Sequence, residues 1–415
     1  MRYKTFQSNN PLDFSMIFNS LDNDIEWLKL ERDKRDVEIA IHTSWDQRIL
    51  AYRFKLVFQT IGIDQSTAVV ELLENNEITY ESNPLHPSAM ANVEHEINLI
   101  RADDGWVISK DTYTDDLIRL LRYSSKDEIF KNIEINHYLS LTNTPNVNQR
   151  TPLQQNPNFS EGLHLYDYDN SAAVEYADNY WDSEATDGPV PLTIRNLEGW
   201  YPTWPTKYKY YQSEFETDCT NFISQAVFEG VSYTATDKDY FYPDSNHYTD
   251  WWYYKFATSV DGSLPWVRVG EFHEFLTENY FNFINWGIAL RGPAGYPVTY
   301  CDIDVGDLVF MYQDGYGWKH SVIVDQLGSN PCNTSNIFVA AHDDDFYRRP
   351  LSYYAGYQLY PIEMKGYFDE YHVAFLPIAF TGSGSLNGNA NQNSSSETED
   401  TGLPTTAPYN AYPPP

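Results

Sequence analysis

The chain is short of positive charge, of cysteine and of long apolar runs, and each shortage narrows what it does. Against 59 Asp and Glu stand only 27 Lys and Arg, a formal net charge of −32. A surface of that sign repels nucleic acid and anionic membranes at long range, and no basic stripe reverses it locally. No stretch reaches the roughly 18 apolar residues that a spanning helix needs. The opening run, Met1 to Asn10, lacks the apolar centre of a secretion signal. This leaves a cytoplasmic protein, or one whose export signal is missing from this version of the chain. The only cysteines are Cys219, Cys301 and Cys332. An odd count fits one disulfide plus one thiol, or three reduced thiols.

What is present is aromatic and globular. Hydrophobic residues make up 42% and charged residues 21%, which places most of the 415 residues in folded structure. Aromatics reach 16%, with 34 Tyr, enough for an aromatic core or for a groove that takes sugars or peptides.

Residues 12–38 read as helical, with Ile17, Phe18, Leu21, Ile25, Leu28 and Leu30 towards one face. Two β-rich runs follow, 49–61 and 66–73. Then 95–101 pairs by pattern with 106–109 across the Asp104-Gly105 turn signal. A helix from Asp115 to about Arg122 closes this part. One helix and an antiparallel meander predict an α+β roll over residues 1–125, resembling the cystatin-like or nuclear-transport-factor-like roll, with a binding or spacer role. His42, His86 and His95 are scattered among polar residues and read as structural or surface groups. Residues 126–169 hold a helix and a linker rich in Asn, Gln, Pro, Thr and Ser; 170–378 alternate helix and strand; 379–415 predict a disordered tail.

Chemistry concentrates in Glu216-Thr217-Asp218-Cys219-Thr220-Asn221-Phe222-Ile223-Ser224-Gln225-Ala226-Val227. Phe222, Ile223, Ala226 and Val227 recur at helical spacing, so a helix begins near Cys219, capped by Asp218 or Thr217 and stopped by Gly230. A sulfur at a helix N-terminus is favoured as thiolate, and the unpaired amides there can face a developing oxyanion. The alternative is a buried helical cysteine acting as a small hydrophobe. Cys219, however, stands outside the apolar spacing.

A base stands in the hairpin Asp307 to Val324, whose second strand His320 opens before the core-like Val322, Ile323 and Val324. The next hairpin, folded about Pro331, sets strand 320–326 against 336–342 and predicts His342 opposite His320, close enough to fix its tautomer. A register slip would hand that orienting role to Asp344. The same strand pairing brings Cys301 near the loop holding Cys332, and a bridge between them would point to an oxidising compartment.

The stretches 172–177, Asp218 to Ala226, Gly306-Asp307-Leu308-Val309 and His320-Ser321-Val322-Ile323-Val324 resemble the bacterial amidase-domain family, which is similar to the CHAP and NlpC-type cell-wall hydrolases of papain-like fold. The resemblance covers about 170–378. It implies a papain-like domain with an antiparallel sheet, Cys219 as nucleophile, His320 as base, a polar third residue, no cofactor, and a peptidoglycan or peptide substrate. Zinc ligands from Cys219, His320, His342 and Asp343 to Asp345 compete, but no Cys-x-x-Cys or His-Glu-x-x-His spacing supports them. The run Asp237-Lys238-Asp239 begins like a calcium loop and lacks its Gly and terminal Glu. The expected function is cysteine-dependent amide hydrolysis; the alternatives are a catalytically idle binding protein of the same fold and a cysteine peptidase acting on a protein.

Overall fold

The structure is a computed structural model that describes residues 26–103, 105–142, 164–182, 219–230, 256–257, 259–260, 268–277, 298–342, 345–364 and 366–369. All of them belong to one unit, Met1–Val373. The tail expected over 379–415, the capping residues Thr217 and Asp218, the reserve residue Asp344 and the run at Asp237 lie outside the described residues.

In chain order the elements are α1 (Glu26–Ser44), β1 (Ile49–Asp64), β2 (Thr67–Tyr80), β3 (Ser88–Ala102), β4 (Gly105–Tyr113), α2 (Asp116–Tyr123) and α3 (Lys126–Thr142). They continue with β5 (His164–Asp167), α4 (Asn170–Tyr180), α5 (Cys219–Gly230), the two-residue β6 (Phe256–Ala257) and β7 (Ser259–Val260), and α6 (Val269–Thr277). The last are β8 (Leu308–Gln313), β9 (Gly317–Leu327), β10 (Ile337–Ala341), β11 (Phe346–Pro350), β12 (Gln358–Ile362) and β13 (Gly366–Asp369).

The chain is mixed α+β, built on a nine-stranded antiparallel sheet in the order β1-β2-β3-β11-β10-β9-β8-β12, with β4 also on β3. The N-terminal meander does not stand apart. Phe346 and Tyr347 pair with Met90 and Ala89, so β3 and β11 join it to the C-terminal strands in one sheet.

Two cores form on opposite faces of β8–β10. On one face, Tyr176, Ala177 and Tyr180 of α4, Phe222, Ile223 and Ala226 of α5 and Phe272 of α6 pack on Leu308, Phe310, Ile323 and Ala340. On the other, Val37 and Ile41 of α1, Leu117 and Leu120 of α2 and Ile129 and Ile133 of α3 pack on Val309, Met311, Val322, Val324 and Val339. Strand alternation sorts the residues between the two: Leu308 and Phe310 go one way, Val309 and Met311 the other.

Local chemistry explains the boundaries. Asp115 caps α2 by accepting from the amides of Leu117 (2.9 Å) and Ile118 (3.3 Å). Its second oxygen accepts from Lys34 Nζ of α1 (2.8 Å) and from the Tyr353 hydroxyl beyond β11 (3.0 Å). Asn136 of α3 donates to the carbonyls of Ala355 and Tyr357 and accepts from the Tyr300 hydroxyl. Helices from the first third of the chain are thus bonded to backbone and side chains from its last quarter. Gly306 has φ +90°, and an added Cβ would meet Asn170 at 2.8 Å, so only glycine fits before β8. Asp307 beside it accepts from the amides of Asp304 (2.6 Å) and Met364 (2.7 Å). The Gly-Asp pair of the sequence motif is therefore a turn clamp.

A testable consequence concerns Lys34, whose side chain is only 2% exposed and pairs with Asp115. Lys34→Met leaves a buried carboxylate without its cation, a loss of about 3–5 kcal/mol. Chemical denaturation should show that loss in one transition for the N-terminal and C-terminal parts together. A two-step melt that spares the C-terminal part would contradict the shared core.

Candidate active site

Cys219 is the first residue of α5, with 1% of its surface exposed. Phe222, Ile223, Ala226 and Val227 are all buried against the sheet, as helical spacing requires. Cys219 Sγ lies 3.7 Å from the Thr220 hydroxyl, which lies 3.4 Å from the Ser321 hydroxyl on β9. The start of α5 therefore rests over the face of β9 that shows Ser321 and Ile323. The helix ends at Gly230, where the Tyr168 ring leaves no room for a Cβ.

His342, just past β10, lies on that same face. Its ring stacks on Phe222 with centroids 4.1 Å apart and planes 16° from parallel. Phe222 is three residues on from Cys219, so the two are neighbours on the helix surface. His342 Nε2 lies 2.8 Å from the Tyr180 carbonyl oxygen at the end of α4. A carbonyl can only accept, so Nε2 carries the proton and Nδ1 of the neutral ring holds the lone pair.

His320 is turned the other way. It pairs with Met311, and Tyr312 then pairs with Trp318, so Lys319 is an extra residue in β9. Past this bulge, Val322 and Val324 face the α1–α3 core, and His320 keeps their phase. Its ring sits 5.5 Å from that of Tyr354 in the same core. Both ring nitrogens are buried with no hydrogen-bond partner. Burial pushes the imidazole pKa down to about 4; the Asp116 carboxylate pulls upward, and Arg119 and Arg349 push down further.

The expected pairing of His320 with His342 is corrected by the register. Ile337 and Phe338 pair with Leu327 and Gln326, but Val339 and Ala340 pair with Val324 and Ile323. Asp325 is bulged out, and continuing the ladder brings His342 opposite Ser321. A one-residue shift reverses the face of every side chain beyond it. The structure brings Cys219 and His342 to one face and sets His320 on the other, so His342 does not orient His320 here.

The Asp325 bulge also makes a feature that the sequence reading missed. Its carboxylate accepts from Arg348 Nε at 2.8 Å and lies beside Asp178 of α4. Burial and then the neighbouring Asp178 carboxyl raise the Asp325 pKa to about 8, with Arg348 opposing. The available signal was a lone acid inside the apolar run Val322 to Leu327. The Tyr180 carbonyl left no signal, because any residue type supplies one.

Cys301 and Cys332 form a disulfide with Cα atoms 4.1 Å apart, tying the turn before β8 to the β9–β10 loop. Cys219 is outside that bridge. His42 bonds the Gln47 carbonyl, His95 bonds Asp111 and stacks on Tyr113, and His86 accepts from Arg348. Among the described residues, no group of three His, Cys, Asp or Glu is arranged to hold a metal ion, and no helix is long and apolar enough to cross a membrane.

Residues 167–364, just under half of the chain, match the family model described as a putative amidase domain. The match covers α4, α5 and β8–β12, the elements that carry Cys219, His320 and His342. It supports amide hydrolysis in general terms. No curated protein and no solved structure matches the chain.

The depressed His320 pKa has a definite pH signature. A group whose folded pKa lies below its ordinary value of 6.5 adds stability that is full above that value and is lost as pH falls through about 4. The loss is about 3 kcal/mol when complete. His320→Leu should remove this slope between pH 6.5 and 4 in urea-denaturation measurements, without lowering stability at neutral pH, since it also removes two unpartnered polar atoms. An unchanged slope would contradict the placement of His320.

Proposed function

We infer that the chain is a cysteine-dependent amide hydrolase in which Cys219 is the nucleophile and His342 the base. The observation that carries this is their shared face: Cys219 opens α5, and the His342 ring lies on Phe222, one turn further along the same helix. His342 Nδ1 takes the thiol proton as Sγ attacks the carbonyl carbon. The C–N bond breaks, the proton passes to the leaving amine, and water then hydrolyses the thioester. The Tyr180 carbonyl holds the ring from its far side, the orienting role of a third triad member. The backbone N–H of Cys219 is the oxyanion donor in this reading. It is a papain-like arrangement, a thiol at a helix start against an antiparallel sheet, with His342 rather than His320 as the imidazole.

The substrate we assign is an amide of bacterial peptidoglycan. The resemblance of the Asp218 to Ala226 run to cell-wall hydrolases supports it, as does the Cys301–Cys332 bridge, which suits an oxidising, extracytoplasmic setting. Purified peptidoglycan digested with wild type should release new amine ends, identified by mass spectrometry. Cys219→Ala and His342→Ala should each lower the rate at least about a thousandfold, and His320→Asn should leave it within about threefold. No cleavage by the wild type would remove the cell-wall assignment.

A second reading keeps His320 as base and is favoured by its two unpartnered buried nitrogens, an arrangement that calls for an explanation. Moving the extra residue of β9 from Lys319 to Ser321 would give His320 the phase of Trp318, on the Cys219 face, and leave Val322 onward in place. Loss of activity in His320→Asn with retention in His342→Ala would select it.

A further inference from the structure

We propose that β1 is a dimerisation strand, which pairs antiparallel with β1 of a second copy of this chain. Strand β1 is 16 residues long and stands at the end of the sheet, paired only with β2 among the described residues. Its outer edge presents backbone amides and carbonyls over roughly 50 Å, a template for another strand.

The side chains give that edge an apolar face. Phe54, Leu56 and Phe58 alternate along one side of the strand. Gln59 is then an extra residue, so Phe58 pairs with Leu72, Ile61 with Val70 and Ile63 with Ala68. Without the bulge, Ile61 and Ile63 would turn to the opposite face; with it, five large apolar residues form one row. They are 39–68% exposed, whereas Leu72, Val70 and Ala68 beside them on β2 are buried. The row leaves roughly 500 Å² of apolar surface in water, near the upper end for a monomer. With the strand edge it approaches the roughly 800 Å² per partner of a stable interface.

Charge and symmetry favour a second copy as the occupant. A two-fold axis between Phe58 and Gln59 sets Phe54 of one copy against Ile63 of the other, and Leu56 against Ile61, all on the apolar face. On the opposite face it sets Arg53 against Asp64 of the second copy and Lys55 against Gly62, so cations that would discourage parallel pairing meet no like charge. The strand carries a net charge of +1 (Arg53 and Lys55 against Asp64) in a chain of −32, so it is a place where two copies can approach with little local repulsion.

Sedimentation equilibrium of the full chain tests this together with Phe58→Lys, whose side chain is 59% exposed and can be changed without opening a core. Wild type should show the mass of two chains, associating more tightly as salt screens the overall charge. Phe58→Lys, with an unchanged circular dichroism spectrum, should show the mass of one. Gln59→Cys near the axis should form an intermolecular disulfide on mild oxidation, while Glu128→Cys, exposed on α3, should not. A monomeric wild type, as expected if a foreign strand is the true occupant, would overturn the proposal, as would a dimer that survives Phe58→Lys or cross-links equally through Glu128→Cys.

Discussion

A β-strand can show any one residue to only one side of its sheet, and this constraint decides which histidine shares a face with Cys219. Strands β8–β10 separate two cores, one beneath α4–α6 and the other beneath α1–α3. Cys219 and His342 belong to the first and His320 to the second. Two bulges set these assignments, at Lys319 and at Asp325. Each inserts a single residue and reverses the sidedness of the residues beyond it, so the candidate site depends on register more than on side-chain identity.

The same sheet draws the N-terminal third of the chain into the architecture of the amidase-like segment. Strand β3 lends one stretch of its edge to β4 and another to β11, and α1–α3 cover the face that α5 does not. Asp115 illustrates the economy of this arrangement: one carboxylate caps α2, pairs with Lys34 of α1 and accepts from Tyr353. The face of β8–β10 opposite Cys219 is therefore buried within the molecule, which is why His320 lies in a dry environment that disfavours its charged form.

Much of this was legible in the sequence wherever a local rule governs. The apolar spacing after Cys219 identified α5, Gly105 of the expected turn opens β4, and Asp115 stood at the start of α2. The strand argument also brought Cys301 to Cys332. The first described helix, by contrast, runs on from Glu26 to Ser44, past the expected end at 38. What could not be read was non-local or unmarked by composition. A bulge is one extra residue of any type, so counting symmetrically about Pro331 left the register one residue off. The β3–β11 contact joins segments some 250 residues apart through backbone bonds that any residue can make. The carbonyl that holds His342 belongs to Tyr180, whose side chain gives no hint of it.

Alkylation of Cys219 by iodoacetamide across pH, in wild type, His342→Gln and His320→Gln, separates the two histidines and needs no substrate. Because Cys301 and Cys332 are bridged, the label reports on Cys219 alone. The assignment of His342 as partner predicts that His342→Gln changes the pH profile of alkylation and that His320→Gln leaves it superimposable on wild type. A profile altered by His320→Gln and untouched by His342→Gln would contradict it and return the imidazole partner of Cys219 to β9.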